Sequence, residues 1–191
     1  MYLEGAGDRG ILNGWCRRIL PAHANALSRS SVILGGKRPA RAVEHFRSLG
    51  GASGGCSGLC VLDRDDGEGL PGAEVDEPGL EFFTWGRRHI ESYLLVPDAI
   101  RRALRLPTSD TRVELALRDH LPEEGDTRAW NELDAKRLFA PTGPLARALG
   151  KAVPTPRVAR ATRINELHGD VHAFFERLRV EFGVVDVEVV R

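Results

Sequence analysis

The chain has 191 residues, enough for one large domain and a substantial core, and its 27 basic side chains balance its 27 acidic ones. That neutrality excludes a globally basic nucleic-acid binder, so any such contact needs charges segregated to one face. No apolar run approaches 18 residues, which excludes a membrane-spanning helix, and three cysteines without a secretory signal point to a reducing, cytoplasmic setting.

In chain order, Met1-Tyr2-Leu3-Glu4-Gly5 is a short apolar strand ending in an acid. Asp8 then caps a helix whose apolar positions Ile11, Leu12, Trp15 and Ile19 recur at helical spacing until Pro21. A core strand this close to the N-terminus is expected to be the cut edge of a larger polypeptide. Ser31 to Leu34 predicts a second buried strand, and Pro39 to Leu49 a second helix with Ala42, Val43, Phe46 and Leu49 inward. The glycines and serines of residues 50–58 predict a flexible connection into a third strand, Leu59 to Leu62.

The acidic turn Asp63-Arg64-Asp65-Asp66 follows directly. Residues 67–79 read as a loop and Leu80 to Trp85 as a fourth strand, so strands alternate with helices and imply a mostly parallel sheet. From Arg88 the pattern turns helical. Ile90, Tyr93, Leu94 and Leu95, then Ile100, Ala103 and Leu104, suggest helices around Pro97. Residues 107–128 are charged and weakly patterned, 129–149 hold short helical pieces, and 153–157 form a proline-bearing linker. Arg163 to Phe182 is the best helix of the second half, with Leu167, Val171, Phe174, Phe175 and Leu178 along one side. Val184 to Val190 alternates as a last strand. The expected division is an α/β core over 1–106 and a mainly helical extension over 107–191.

Acids at the carboxyl ends of neighbouring parallel strands face one crevice, where such folds keep their chemistry. Magnesium takes carboxylate oxygens together with water and phosphate oxygens, and an Asp-x-Asp just past a strand lets both side chains bend toward one ion. Each piece alone is ordinary turn chemistry. Glu4 and the Asp63/Asp65 pair at two strand ends of one sheet are more specific together.

These residues carry a resemblance. Leu3-Glu4-Gly5-x-x-Asp8, then Leu62-Asp63-x-Asp65, then Arg88-His89-Ile90-Glu91-Ser92-Tyr93-Leu94-Leu95 resembles the Toprim domain of OLD-family (overcoming lysogenization defect) nucleases. The Glu-x-Tyr-Leu-Leu element distinguishes that group from Toprim domains at large. The resemblance implies a Toprim-like (Rossmann-like) fold and metal-dependent DNA cleavage. It makes Glu4, Asp8, Asp63, Asp65 and Glu91 ligands for one or two Mg²⁺ or Mn²⁺ ions, with Asp66 a neighbour. It also implies a lysine beside the phosphate. Asp134-Ala135-Lys136-Arg137-Leu138 resembles that element, with Ala135 where glycine is common, and Lys151 is the second choice. Arg88 is a phosphate contact or a surface ion pair.

In the family an ATPase domain precedes the nuclease. This chain has no Gly-x-x-x-x-Gly-Lys-Ser/Thr motif. The expected partners are therefore DNA and an ATPase in the same or an associated chain, with a homodimer compatible and no membrane.

Only three lysines, Lys37, Lys136 and Lys151, stand among the basic residues. A GC-rich genome explains the excess of arginine, and a lysine in such a chain is the more notable for its point charge. Arginines 101, 102 and 105, and 157, 160 and 163, have the spacing of a solvated face and equally of a strip that tracks DNA. His168 and His172 have zinc-ligand spacing, but Cys60 sits in an apolar strand and Cys56 in a glycine-rich loop, the places of structural cysteines. A haloacid-dehalogenase-like phosphatase would place Thr or Val where Gly67 stands. A noncatalytic metal-binding regulatory or docking module of an ATPase, or another Toprim phosphotransfer enzyme, would also fit the acids.

Overall fold

A computed structural model describes residues 1–65, 76–181 and 183. Asp66 and the expected strand 184–190 lie outside the described residues. The first strand, β1 (Tyr2–Leu3), leads into α1 (Ala6–Ile19), and α2 (Ala24–Arg29) follows a 3-10 turn. Next come β2 (Val32–Ile33), α3 (Pro39–Ser48), β3 (Gly58–Leu62) and β4 (Leu80–Thr84). The four strands are all parallel, in the order β2-β1-β3-β4. This is an α/β fold with a parallel sheet between helical layers, and every strand points its carboxyl end to the same edge.

Side chains alternate across the sheet as the pleat requires. Tyr2, Cys60, Leu62 and Leu80 pack with Ala42, Val43 and Phe46 of α3, whereas Leu3, Leu59 and Val61 pack with Ile11, Leu12 and Trp15 of α1. Burial on both faces explains why these strands read as continuous apolar runs. Leu49 departs from its expected inward place. It lies at the end of α3, 57% exposed. The 50–58 segment is a hydrogen-bonded turn rather than a loose connector: Gly51 N–H donates to the Phe46 carbonyl and Cys56 N–H to that of Gly51, both at 3.1 Å. Gly50, Gly51 and Gly55 all have positive φ there, backbone that side-chain-bearing residues rarely adopt.

The second half is a series of short helices: α4 (Pro97–Leu104), α5 (Arg112–Arg118), α6 (Thr127–Glu132), α7 (Ala135–Phe139), α8 (Pro144–Leu149), α9 (Thr155–Ala161) and α10 (Gly169–Glu181). Their apolar residues Val113, Leu138, Val158, Phe174 and Phe175 join the same core as α1 and the sheet. Two expectations need correction. The 153–157 linker runs straight into α9, whose Val158 and Ala159 are fully buried. The last helix begins at Gly169, because Ile164–Glu166 forms a 3-10 turn instead.

The α9 helix can sit close to α1 because α1 offers glycine on that side. A Cβ on Gly14 would fall 2.7 Å from Ala159 Cβ and 2.9 Å from Arg160 N, and one on Gly10 would fall 2.7 Å from Pro156 Cγ. The α10 helix is fixed by aromatics: Trp85 lies against Trp15 and Phe174, and Tyr93 donates to Asp170 Oδ2 at 2.6 Å. No described helix is long and apolar enough to cross a membrane.

Candidate active site

The strand order reverses between β1 and β3, and at such a switch the chains diverge and leave a crevice above their carboxyl ends. Glu4 follows β1 and Asp63 follows β3, so both stand at this crevice. Glu4 Oε1 accepts a 2.8 Å hydrogen bond from Asp63 N, which ties the two strand ends together. The Glu4 carbonyl accepts from Gly35 and Gly36 N, both at 3.0 Å, fastening the end of β2 as well.

Asp63 is the fixed point of the site, 4% exposed. Its Oδ1 accepts from Ile90 N at 2.9 Å, and its Oδ2 receives the Lys136 ammonium at 2.6 Å. Ile90 opens the 3-10 turn Ile90–Leu94, which carries Glu91. Lys136 lies in the first turn of α7, whose N-cap Asp134 accepts from Arg137 N at 3.1 Å. One aspartate thus gathers the two elements that bring Glu91 and Lys136. A buried carboxylate with a charge-assisted bond to lysine and a backbone donor is a satisfied group.

Asp8 sits in the first turn of α1, where a carboxylate is favoured by the helix dipole, and its Oδ2 accepts from Gly5 N at 2.8 Å. Asp65 takes a left-handed backbone, φ 52°. Aspartate tolerates that better than most residues, and the turn directs its Oδ2 to Lys37 Nζ at 3.3 Å. His89, 6% exposed, stands between Asp65 and Asp134, with each carboxylate 3.7 Å from a ring nitrogen.

The electrostatics couple these groups. Burial raises the Glu91 carboxyl to about 7, with the nearby Asp63 and Asp8 adding to the rise and Lys136 opposing it. Glu91 Oε2 is also buried without a hydrogen-bond partner. Glu4 and Asp8 are raised by burial too, each helped by the charge of Asp63 and opposed by its own backbone hydrogen bond. At Lys136 burial favours the neutral amine, but Asp63, Glu91 and Asp65 together outweigh it and the group is raised. The His89 ring is lowered by burial and by Lys136, against the pull of Asp63 and Asp134.

Lys151 is placed elsewhere. Its ammonium donates to the Leu104 carbonyl at 3.3 Å, at the end of α4, and it makes no ion pair among the described residues. Arg88 is held by its backbone: its N–H donates to the Asn131 carbonyl at 2.8 Å and its carbonyl accepts from Asp65 N at 3.1 Å. The pattern of residues did not single out Lys37 or His89 for this centre. Both follow the end of a strand, so the rule that located Glu4 and Asp63 would have found them.

The donor set suits a hard divalent cation, being oxygen throughout and including the unpartnered Glu91 oxygen. Among the described residues, no three His, Cys, Asp or Glu side chains stand close enough to enclose an ion as placed. The Lys136 ammonium supplies the compensating charge at Asp63 instead. The cysteines are free, with Cys16 and Cys60 buried, and His172 Nε2 lies 3.2 Å from the Ile164 carbonyl.

A cavity of about 380 Å³ opens beside Glu91 and Lys136, walled by Phe139, Val153, Thr155 and Pro156. Its apolar far wall and charged near wall can seat a substrate against the carboxylates. Comparison with models of known protein families, with curated proteins and with solved structures gives no match for this chain.

Proposed function

We propose that the chain is a divalent-metal-dependent DNA endonuclease of the Toprim type, similar to the nuclease portion of OLD-family proteins. The observation that carries this reading is the meeting of Asp63 with Glu4, Glu91 and Lys136, drawn from four separate stretches to the crevice between β1 and β3. These are the residues the resemblance singles out, and nothing in the spacing of the sequence alone requires them to converge.

The residues that would hold Mg²⁺ or Mn²⁺ are Glu4, Asp8, Asp63, Asp65 and Glu91. When bound, the ion would supply positive charge to the phosphoryl oxygens and the leaving 3′ oxygen. Lys136 exchanges its bond to Asp63 for a nonbridging oxygen of the scissile phosphate, a fixed cation aimed at charge that grows in the transition state. The Ile90 N–H keeps Asp63 oriented while Lys136 moves. Burial raises Glu91 to about 7 when no ion is present, and a bound cation would favour its ionised, ligating form. Lys37 and Arg88 flank the acidic turn and can meet the phosphate on either side. DNA is the proposed partner, and an ATPase in the same or an associated chain the proposed source of regulation.

Nicking of supercoiled plasmid tests the reading, with Mg²⁺, Mn²⁺ or Ca²⁺ supplied to the wild type, Asp63→Ala and Glu4→Ala. Cleavage that needs Mg²⁺ or Mn²⁺ and disappears in both variants is expected. Cleavage that survives both substitutions would remove the acids from the mechanism, and no cleavage with any metal would favour a noncatalytic docking module.

A further inference from the structure

The two arginine groups that are far apart in the sequence meet in space. Arg18, Arg102, Arg105, Arg157, Arg160 and Arg163 line one cavity of about 480 Å³ where α1, α4 and α9 come together. Two of them are partly used by the fold. Arg18 Nε donates to the Arg160 carbonyl at 2.8 Å, and Arg102 Nε donates to the Ala161 carbonyl at 3.0 Å. Both bonds fall on carbonyls at the carboxyl end of α9, where cations are favoured. Arg102 also pairs with Glu166. Arg101, of the same sequence group, turns away to Asp98 and Glu114.

The other four are exposed. Among the described residues, the side chains of Arg105, Arg157, Arg160 and Arg163 make no hydrogen bond or ion pair, and the one carboxylate paired at this cavity, Glu166, answers Arg102. Guanidinium groups collected in a concavity repel one another unless an anion joins them. Arg105 adds a backbone observation. It holds the left-handed position that ends α4, φ 56°, where glycine is the usual residue. That backbone places a long cationic side chain at the groove, at a position that disfavours any Cβ.

The place of the groove matters as much as its charge. The first residues of α9, Thr155 and Pro156, wall the cavity beside Glu91 and Lys136, and Arg157 and Arg160 of the same helix wall the arginine groove. The helix has seven residues, roughly 10 Å at 1.5 Å per residue. That length corresponds to about three nucleotides at 3.4 Å of rise.

We propose that this groove binds the phosphodiester backbone of the DNA strand flanking the site of cleavage, with Arg105, Arg157, Arg160 and Arg163 as the phosphate contacts. This rests on the nuclease reading for the identity of the strand. Guanidinium forks match phosphate oxygens, and backbone contact without base readout suits a surface that offers only charge.

The test is binding of the full chain to a fluorescent 20-base-pair duplex by anisotropy, with EDTA present so that nothing is cut, between about 50 and 200 mM salt. The triple variant Arg105→Gln/Arg157→Gln/Arg163→Gln is expected to bind on the order of 100-fold more weakly at the low-salt end. Its plot of log affinity against log salt should flatten by about 1 for each arginine removed. The corresponding triple Lys variant keeps the slope, which separates lost charge from lost folding, and Arg29→Gln/Arg118→Gln, exposed arginines outside the groove, leaves it unchanged. An unaltered slope in the Gln triple, equal flattening in the Arg29/Arg118 control, or flattening in the Lys triple would each overturn the proposal. So would loss of tripolyphosphate binding with DNA binding intact, which would make the groove a small-anion site. Plasmid nicking is scored separately: a flattened slope in a protein that never cuts keeps the groove and removes the nuclease.

Discussion

The cavity beside the acid centre and the arginine groove are both walled by the same short helix, α9, and the two regions treat charge in opposite ways. At the acid centre the acids other than Glu91 each have a partner supplied by the chain. Asp63 has Lys136 and the Ile90 N–H, Asp65 has Lys37, Glu4 has the Asp63 N–H, and Asp8 has the Gly5 N–H. In the groove four arginines face outward with no internal counter-charge among the described residues. The contrast separates what each region needs from outside. On the proposed reading, the compensated centre holds its geometry and exchanges partners during a reaction, whereas the uncompensated one receives an anion.

The largest effect should come from breaking the compensation at Asp63. Lys136→Ala is expected to lower the rate constant for DNA cleavage on the order of 100- to 1000-fold, the usual loss on removing one fixed stabiliser of transition-state charge. Lys151→Ala, whose ammonium caps α4, should leave that rate within a few-fold. A single-turnover cleavage assay separates the two lysines, and equal losses would remove the distinction between them. Because Lys136→Ala also leaves a buried carboxylate without its cation, urea unfolding should show a loss of about 1–2 kcal/mol, less than for a sealed pair because Lys136 is half open to solvent.

Gly14→Val attacks both ends of α9 together. The added side chain meets Ala159 and the Arg160 backbone, and such overpacking lowers stability by roughly 1–3 kcal/mol. Cleavage and the salt dependence of DNA binding should change with it, since Lys136's cavity and the groove share that helix. Stability loss with both activities intact would show that α9 does not position them.

A smaller effect should appear in the pH dependence of stability with divalent ions removed. A carboxyl raised in the folded state holds its proton where the unfolded chain has lost it, so the folded protein binds more protons between the ordinary glutamate range and about 7. Stability therefore falls as pH rises through that window, with the raised Glu4 and Asp8 contributing in the same direction. Glu91→Gln removes most of the slope and should raise the melting temperature at pH 8 relative to wild type. A slope of the opposite sign would mean that Glu91 is stabilised as the anion.

Much of the first half was legible because its signals are local. Apolar runs bounded by glycine mark strands buried on both faces, and acids just beyond Leu3 and Leu62 follow from the parallel sheet. The placement of Glu91 and Lys136 near Asp63 was expected only through the family resemblance, since no spacing links residues so far apart. The helix α9 was hidden because a proline and two arginines leave Val158 and Ala159 as its main apolar residues, and because the seam that receives it consists of Gly10 and Gly14, which carry no hydropathy signal. Residues 163–168 failed as helix although Leu167 lies on the right face; the side chain of Glu166 turns back to Arg163 N at 2.8 Å and the segment tightens into a 3-10 turn. Leu49 illustrates the opposite error, an apolar residue in phase with its helix but standing at the helix's C-cap, exposed to solvent.

Whether the acids hold a divalent ion is best tested without DNA or catalysis, by titrating Mn²⁺ into the chain and following the loss of the free-ion electron paramagnetic resonance signal. One or two ions per chain should bind the wild type and Lys136→Ala, and binding should be lost in Asp63→Ala and strongly weakened in Glu4→Ala. A wild type that leaves all the Mn²⁺ free, or an Asp63→Ala protein that binds it as the wild type does, would contradict a metal centre at these acids.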